Sequence, residues 1–123
     1  MAAAEIEPVV GSMENPGSFR EAARSCGAIV HCAMDPSKDR LQKDRSFVES
    51  LIATSREAGT SRLLIYTSGT WVYGDTGAGV VDETSPEHPT EWFRGRENTE
   101  KMVLAANSSA MRTIILRDRK SVV

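Results

Sequence analysis

Hydroxyl groups crowd one short stretch of the chain. Tyr66, Thr67, Ser68, Thr70 and Tyr73 all fall within YTSGTWVYGD, residues 66–75. The run follows RLLI and breaks at a glycine, the pattern of a buried strand that delivers polar side chains to its end. Such hydroxyls hold a substrate oxygen, and a tyrosine there can exchange a proton. The structural alternative is that Thr67 and Ser68 satisfy backbone groups while the Tyr73 ring packs its loop against a sheet. His31, in AIVHC, reads as a structural hydrogen-bonding group in a polar gap beside the sheet. Asp82 and Glu83, in VVDETSP, are either a paired set of carboxylates or a solvated acidic loop. Arg94 and Arg96 either hold a phosphate or carboxylate, or form surface pairs with Glu97 and Glu100. Cys26 and Cys32 have only His31 nearby and His88 lies far along the chain, so they do not make a zinc set. They read as two buried or half-buried thiols in a reducing, cytoplasmic compartment.

The elements needed to position these groups alternate. Residues 8–10, PVV, form a short apolar run read as a strand. A helix is expected next, with Asn15 as N-cap, Pro16 at its first position and Gly27 past its end. AIVHC, residues 28–32, is a continuous apolar run, read as a strand covered on both faces. A polar loop containing Pro36 leads to a helix over residues 41–58, whose Phe47, Val48, Leu51 and Ile52 share a face and which Gly59 stops. RLLIY, residues 62–66, is the next strand, and residues 74–90 are a loop. A second long helix is expected over residues 90–107, with Trp92, Val103 and Leu104 on its buried side. MRTIILR, residues 111–117, is the last strand. This order predicts an α/β fold, a parallel sheet with helices on both faces. Ligands of such sheets bind beyond the carboxyl ends of the strands. Three strand exits therefore belong to one site: Gly11, Ser12 and Met13; His31, Cys32, Ala33 and Met34; and Thr67, Ser68 and Gly69.

The chain has 123 residues and a net charge of −2, which suits one domain without a basic surface. Nucleic acid and anionic membranes are thereby poor partners. No apolar stretch approaches the roughly 20 residues that span a bilayer. MAAAEIEPVV has neither the basic start nor the apolar run of a signal peptide.

Six segments in series carry a further reading: VVGSMENPGSF, AIVHCAM, EAGTSRLLIYTSGTWVYGD, VVDETSP, WFRGRENTEKMVL and MRTIILR. Their order and spacing, over residues 8–117, resemble the extended short-chain dehydrogenase/reductase superfamily and its NAD(P)-dependent epimerase/dehydratase group. The resemblance implies a Rossmann-type sheet, NAD or NADP across the strand ends, and a small carbonyl or sugar-like substrate. The cofactor would lie against Ser12, Met13, Ala33, Met34, Thr67 and Ser68. The implied chemistry is hydride transfer coupled to proton transfer by a tyrosine beside a lysine, with a serine or threonine on the substrate oxygen. The helices over 41–58 and 90–107 would pair across a two-fold axis into a homodimer.

The sequence departs from that pattern at each reacting position. The opening strand and glycine-rich phosphate turn have no counterpart. GSMENPG matches a later turn beside the adenine, with Ser12 where an aspartate is usual. With Glu100 anchoring the register, the tyrosine position falls on Trp92 and the lysine position on Arg96. The substrate-holding hydroxyl falls on Gly69, with Ser68 one residue earlier and directed oppositely. Trp is not an acid–base group and Arg stays protonated, which leaves Ser68 and Tyr73 as weak substitutes. The expectation is therefore an internal fragment of an atypical member, inactive as it stands. The alternatives are a redox or epimerase enzyme using substitute groups, a cofactor-binding sensor or scaffold, and a truncated chain with no function of its own. Residues 1–117 read as a partial NAD(P)-binding domain. Residues 118–123, DRKSVV, match a translated sequencing-adapter string and read as a non-native tail.

Overall fold

The computed structural model describes residues 5–119. Three runs rich in β-branched and leucine residues make its sheet: β1 (Ala28–His31), β2 (Arg62–Gly69) and β3 (Met111–Asp118). They lie in the order β1-β2-β3 and all pairings are parallel. Val30 stands beside Ile65, which stands beside Ile114. Parallel neighbours need a crossover. Helix α2 (Arg40–Glu57) joins β1 to β2, and α3 (Arg96–Ala105) lies in the connection from β2 to β3. A short helix, α1 (Arg20–Ser25), precedes β1.

Helix α2 follows from its apolar spacing. Val48, Leu51 and Ile52 recur at helical intervals and are all buried. Gly59, at φ +68°, reverses the chain beyond its end, a conformation glycine adopts freely. The core joins these residues to Ala23, Leu64, Tyr66, Val103, Ala106 and Met111. Arg62 opens β2 and caps α1 from below: Nη1 donates to Ala23 O and Cys26 O at 2.6 Å each, and Nη2 donates to Arg24 O. Cationic donors at a helix carboxyl terminus satisfy carbonyls that the helix leaves open.

Several expectations are corrected. The described helices cover one face of the sheet, not both. Arg62, Leu64, Tyr66 and Ser68 alternate as buried residues of β2, whereas Leu63, Ile65 and Thr67 are half-buried. The face opposite the helices carries Val30, 57% exposed, with exposed Ile114 and Leu116. Of AIVHC, Ala28–His31 is thus an edge strand that the described residues leave bare on one side, and Cys32 lies beyond it. Residues 8–10 form no strand among the described residues, and Val10 is 96% exposed. The first helix is shorter than expected. A 3₁₀ turn, Pro16–Ser18, precedes α1, and Asn15 makes no side-chain cap.

The helix expected over 90–107 is two pieces. A 3₁₀ turn, Glu91–Phe93, is separated from α3 by Gly95 at φ +107°, where the chain swings away from helical geometry. Phe93 takes the buried place expected for Trp92, and both Trp92 and Leu104 are exposed. Cys26 and Cys32 are exposed thiols rather than buried ones. Of the tail read as 118–123, Asp118 ends β3, Arg119 follows it, and residues 120–123 lie outside the described residues. No helix among the described residues is long and apolar enough to cross a membrane.

Candidate functional site

Parallel pairing brings the strand exits to one edge. His31 stands beside Tyr66, and Gly69 beside Asp118. Cys32 Sγ lies 3.4 Å from Thr67 Oγ1, so the exits of β1 and β2 touch. Ala33 and Met34 continue from Cys32 and are exposed. Ser12 and Met13 sit in a separate turn, closed by Asn15 N donating to Ser12 O at 3.1 Å. Lys43, in the first turn of α2, links that turn to the β1 exit loop. Its Nζ reaches Glu14 at 2.6 Å, and Asp35 and Asp39 at 3.5 Å each. The Glu14 carboxylate and its neighbours hold Lys43 protonated well beyond the ordinary lysine range. Asp35 is held below the usual carboxylate range, chiefly by hydrogen bonds from Ser37.

An open cleft of about 430 Å³ lies where the connections after β1 and β2 meet, lined by Lys38, Arg40, Leu41, Glu91 and Trp92. Trp92 is 70% exposed there. The Arg40 guanidinium sits 4.9 Å over the indole and donates to Trp92 O at 3.2 Å. Trp71 stacks on Phe93 behind it, with ring centroids 5.7 Å apart. The cleft thus presents one aromatic plane with Arg40 over it, a second cation in Lys38 and the carboxylate of Glu91.

The acid–base groups lie beneath this edge, facing inward. Tyr66 is fully buried, and its hydroxyl donates to Asp44 Oδ2. The other carboxylate oxygen of Asp44 lies 2.6 Å from His31 Nε2. Burial first, and then the Asp44 charge, push the Tyr66 phenol far above its ordinary value. His31 therefore makes the structural hydrogen bond its sequence setting suggested. Arg96 is only 4% exposed. Its Nη2 donates to Thr67 O at 2.7 Å, its Nε to Ser68 Oγ at 3.3 Å, and its guanidinium lies 5.2 Å over the Tyr66 ring. The expected surface pairs of Arg96 with Glu97 and Glu100 are absent, because the side chain is drawn under β2. Arg94 is exposed.

A second buried cluster ties the loop after β2 to β3. Arg117 donates from Nε and Nη2 to Glu100 Oε2 at 3.0 and 2.6 Å, and from Nη1 to the Tyr73 hydroxyl at 2.8 Å. Its Nη2 also donates to Glu87. Tyr73 thereby packs its loop against the sheet. Asp82 accepts from Thr84 and Ser85, and the Thr84 bonds lower its pKa below the usual range. Asp82 and Glu83 are both exposed.

Of the two carboxylates that organise these clusters, Asp44 was not singled out in the sequence, and Glu100 entered only as a register anchor and a surface pairing partner. Asp44 precedes Val48 by four residues and Leu51 by seven, so it interrupts an apolar stripe, which is the signal for a buried charge. Glu100 stands likewise between Arg96 and Val103 on the inner face of α3. No group of three His, Cys, Asp or Glu side chains that could hold a metal occurs among the described residues. No protein-family model, curated protein or solved structure matches this chain.

Proposed function

We propose that the chain is an NAD(P)-binding module of Rossmann type that resembles the short-chain dehydrogenase/reductases and does not turn over a substrate. One observation carries the reading: both tyrosines of the chain are buried and hydrogen-bonded away from the cleft, Tyr66 to Asp44 and Tyr73 to Arg117. Hydride transfer from an alcohol needs a base at the departing hydroxyl proton. Trp92 and Arg96 occupy the positions where the resemblance expects the tyrosine and lysine. One is an exposed indole, and the other is a cation locked under β2.

The cleft fits part of such a cofactor. Trp92 offers a stacking surface, and Lys38 and Arg40 offer positive charge at the carboxyl edge of a parallel sheet. The pyrophosphate cradle has no fitting residues among the described ones. In the turn between Gly11 and Gly17, the Glu14 carboxylate already engages Lys43, which is hostile to a phosphate. No residue is assigned to the pyrophosphate. The bound cofactor would supply a hydride donor or acceptor, and the chain's own residues would hold and orient it without moving a proton. A sensor or scaffold role follows.

The test is fluorescence titration of the chain with NADH and NADPH, alongside a Trp92→Phe variant. Quenching in the parent that weakens in the variant supports the reading, provided that reduced nicotinamide is not consumed with a panel of carbonyl compounds. Turnover on that panel overturns the inactive reading, and absence of quenching overturns the cofactor itself.

A further inference from the structure

We propose that residues 75–87 form a hinged lid, held shut against the carboxyl end of β3 by a clasp between Glu87 and Arg117. This inference is independent of the cofactor reading.

The hinge is a pinched neck. Gly74 has φ +70°, and a Cβ built on it would lie 2.0 Å from His88 O. Only glycine lets the two arms of the loop approach this closely. The segment between them is therefore an Ω-type loop whose ends are pinned together. Its own hydrogen bonds are internal. Asp75 Oδ1 accepts from Gly77 N at 2.9 Å, Thr76 O accepts from Gly79 N at 2.9 Å, and Asp82 Oδ1 accepts from Thr84 N at 2.9 Å. Residues 75–84 are exposed throughout. Among the described residues, nothing in 75–86 hydrogen-bonds the body of the fold. The segment is thus tied within itself and attached to the rest at its neck, where Glu87 adjoins His88 and reaches Arg117.

The clasp is asymmetric. Two carboxylates share one guanidinium. Glu100 is almost fully buried and engages both Nε and Nη2 of Arg117. Glu87 engages Nη2 alone, with its side chain 24% exposed. The Tyr73 hydroxyl holds Nη1 from the third side. Arg117 is therefore seated without Glu87, and the partner with fewer bonds and more water is the one that leaves. The lid also walls a groove. Glu83, with Leu104, Ile115, Leu116 and Arg117, lines an open space of about 640 Å³ along the outer edge of β3. Release of Glu87 lets Glu83 swing away from that edge, exposing backbone that no strand pairs.

The experiment is backbone and side-chain NMR on the whole chain, comparing the parent, Glu87→Ala, and Glu83→Ala as a control on the same lid without a clasp bond. In the parent and the control, order parameters of residues 75–87 are expected near the rigid value of about 0.85. In Glu87→Ala they are expected to fall below about 0.6. The Arg117 Nε–H signal and the β3 amides should stay protected in that variant. A lid already mobile in the parent overturns the proposal, as does unchanged order in Glu87→Ala or an equal loss in Glu83→Ala. Loss of the Arg117 Nε–H and β3 protection together with the lid, or failure of Glu87→Ala to fold, also overturns it, because Glu87 would then hold the body of the fold.

Discussion

Tyr66 shows how a residue type can promise chemistry and be denied it by its surroundings. A phenol acts as an acid or base when its ionised form is stabilised near neutrality. Here burial and the Asp44 carboxylate both disfavour the phenolate, so the proton is held far above the ordinary range. The unfolded chain behaves differently, since there the phenol ionises near its ordinary value of 10.0. Above that pH the unfolded state releases a proton that the folded state retains. Stability is therefore expected to be independent of this group below about pH 10 and to fall above it, by up to about 1.4 kcal/mol per pH unit. In a Tyr73→Phe variant, the phenolate absorbance of Tyr66 should appear only together with alkaline unfolding. Ionisation at an ordinary pH in a chain that is still folded would contradict the buried donor bond to Asp44.

Helix α2 is held to the sheet by two kinds of contact, apolar and hydrogen-bonded. Val48, Leu51 and Ile52 supply the first. Asp44 supplies the second, reaching His31 on β1 and Tyr66 on β2 at once. A buried carboxylate that serves two partners cannot be removed without leaving both unsatisfied. Asp44→Ala is expected to cost about 3 kcal/mol in urea unfolding, more than a surface substitution such as Glu49→Ala, which should stay within about 0.5 kcal/mol. Glu49 is half-exposed and pairs with Arg45 one turn away. Equal effects at the two positions would show that Asp44 is not a joint between helix and sheet. At α3 the corresponding joint is Arg96, which explains why the element starts where it does. Gly95 turns the chain at φ +107°, and the next side chain goes straight under β2.

Among the described residues, the molecule is asymmetric across its sheet. One face is covered by α1, α2 and α3. The other shows Val30, Ile114 and Leu116, which lie on three strands' worth of one apolar surface through the pairing of Val30 with Ile65 and Ile65 with Ile114. Both β1 and β3 are edge strands. The open edge of β1 and the uncovered apolar face promote association. By contrast, α2 carries no exposed large apolar residue and α3 carries only Leu104 among the described residues. Self-association is therefore expected through the sheet face. Ile114→Lys with Leu116→Lys should lower the apparent mass in concentration-dependent light scattering, while Leu104→Lys should leave it unchanged. The reverse pattern would favour pairing through the helices.

Composition and periodicity alone determined much of this molecule. The apolar runs at residues 28–32, 62–66 and 111–117 and the helical stripe at Phe47, Val48, Leu51 and Ile52 identify the α/β order, because backbone hydrogen bonding and burial impose those periods locally. His31 as a structural group and Tyr73 as packing were legible for the same reason, since each sits at a strand exit or loop beside a sheet. What the chain could not disclose by itself was which faces find partners. The strand status of residues 8–10, the cover over β1 and the burial of Trp92 all depend on neighbours distant in sequence. So do the pairings Asp44–Tyr66, Arg96–Thr67 and Glu87–Arg117, each joining positions far apart along the chain. A buried charge is tolerated only where its counter-groups converge, and that convergence exists in three dimensions alone.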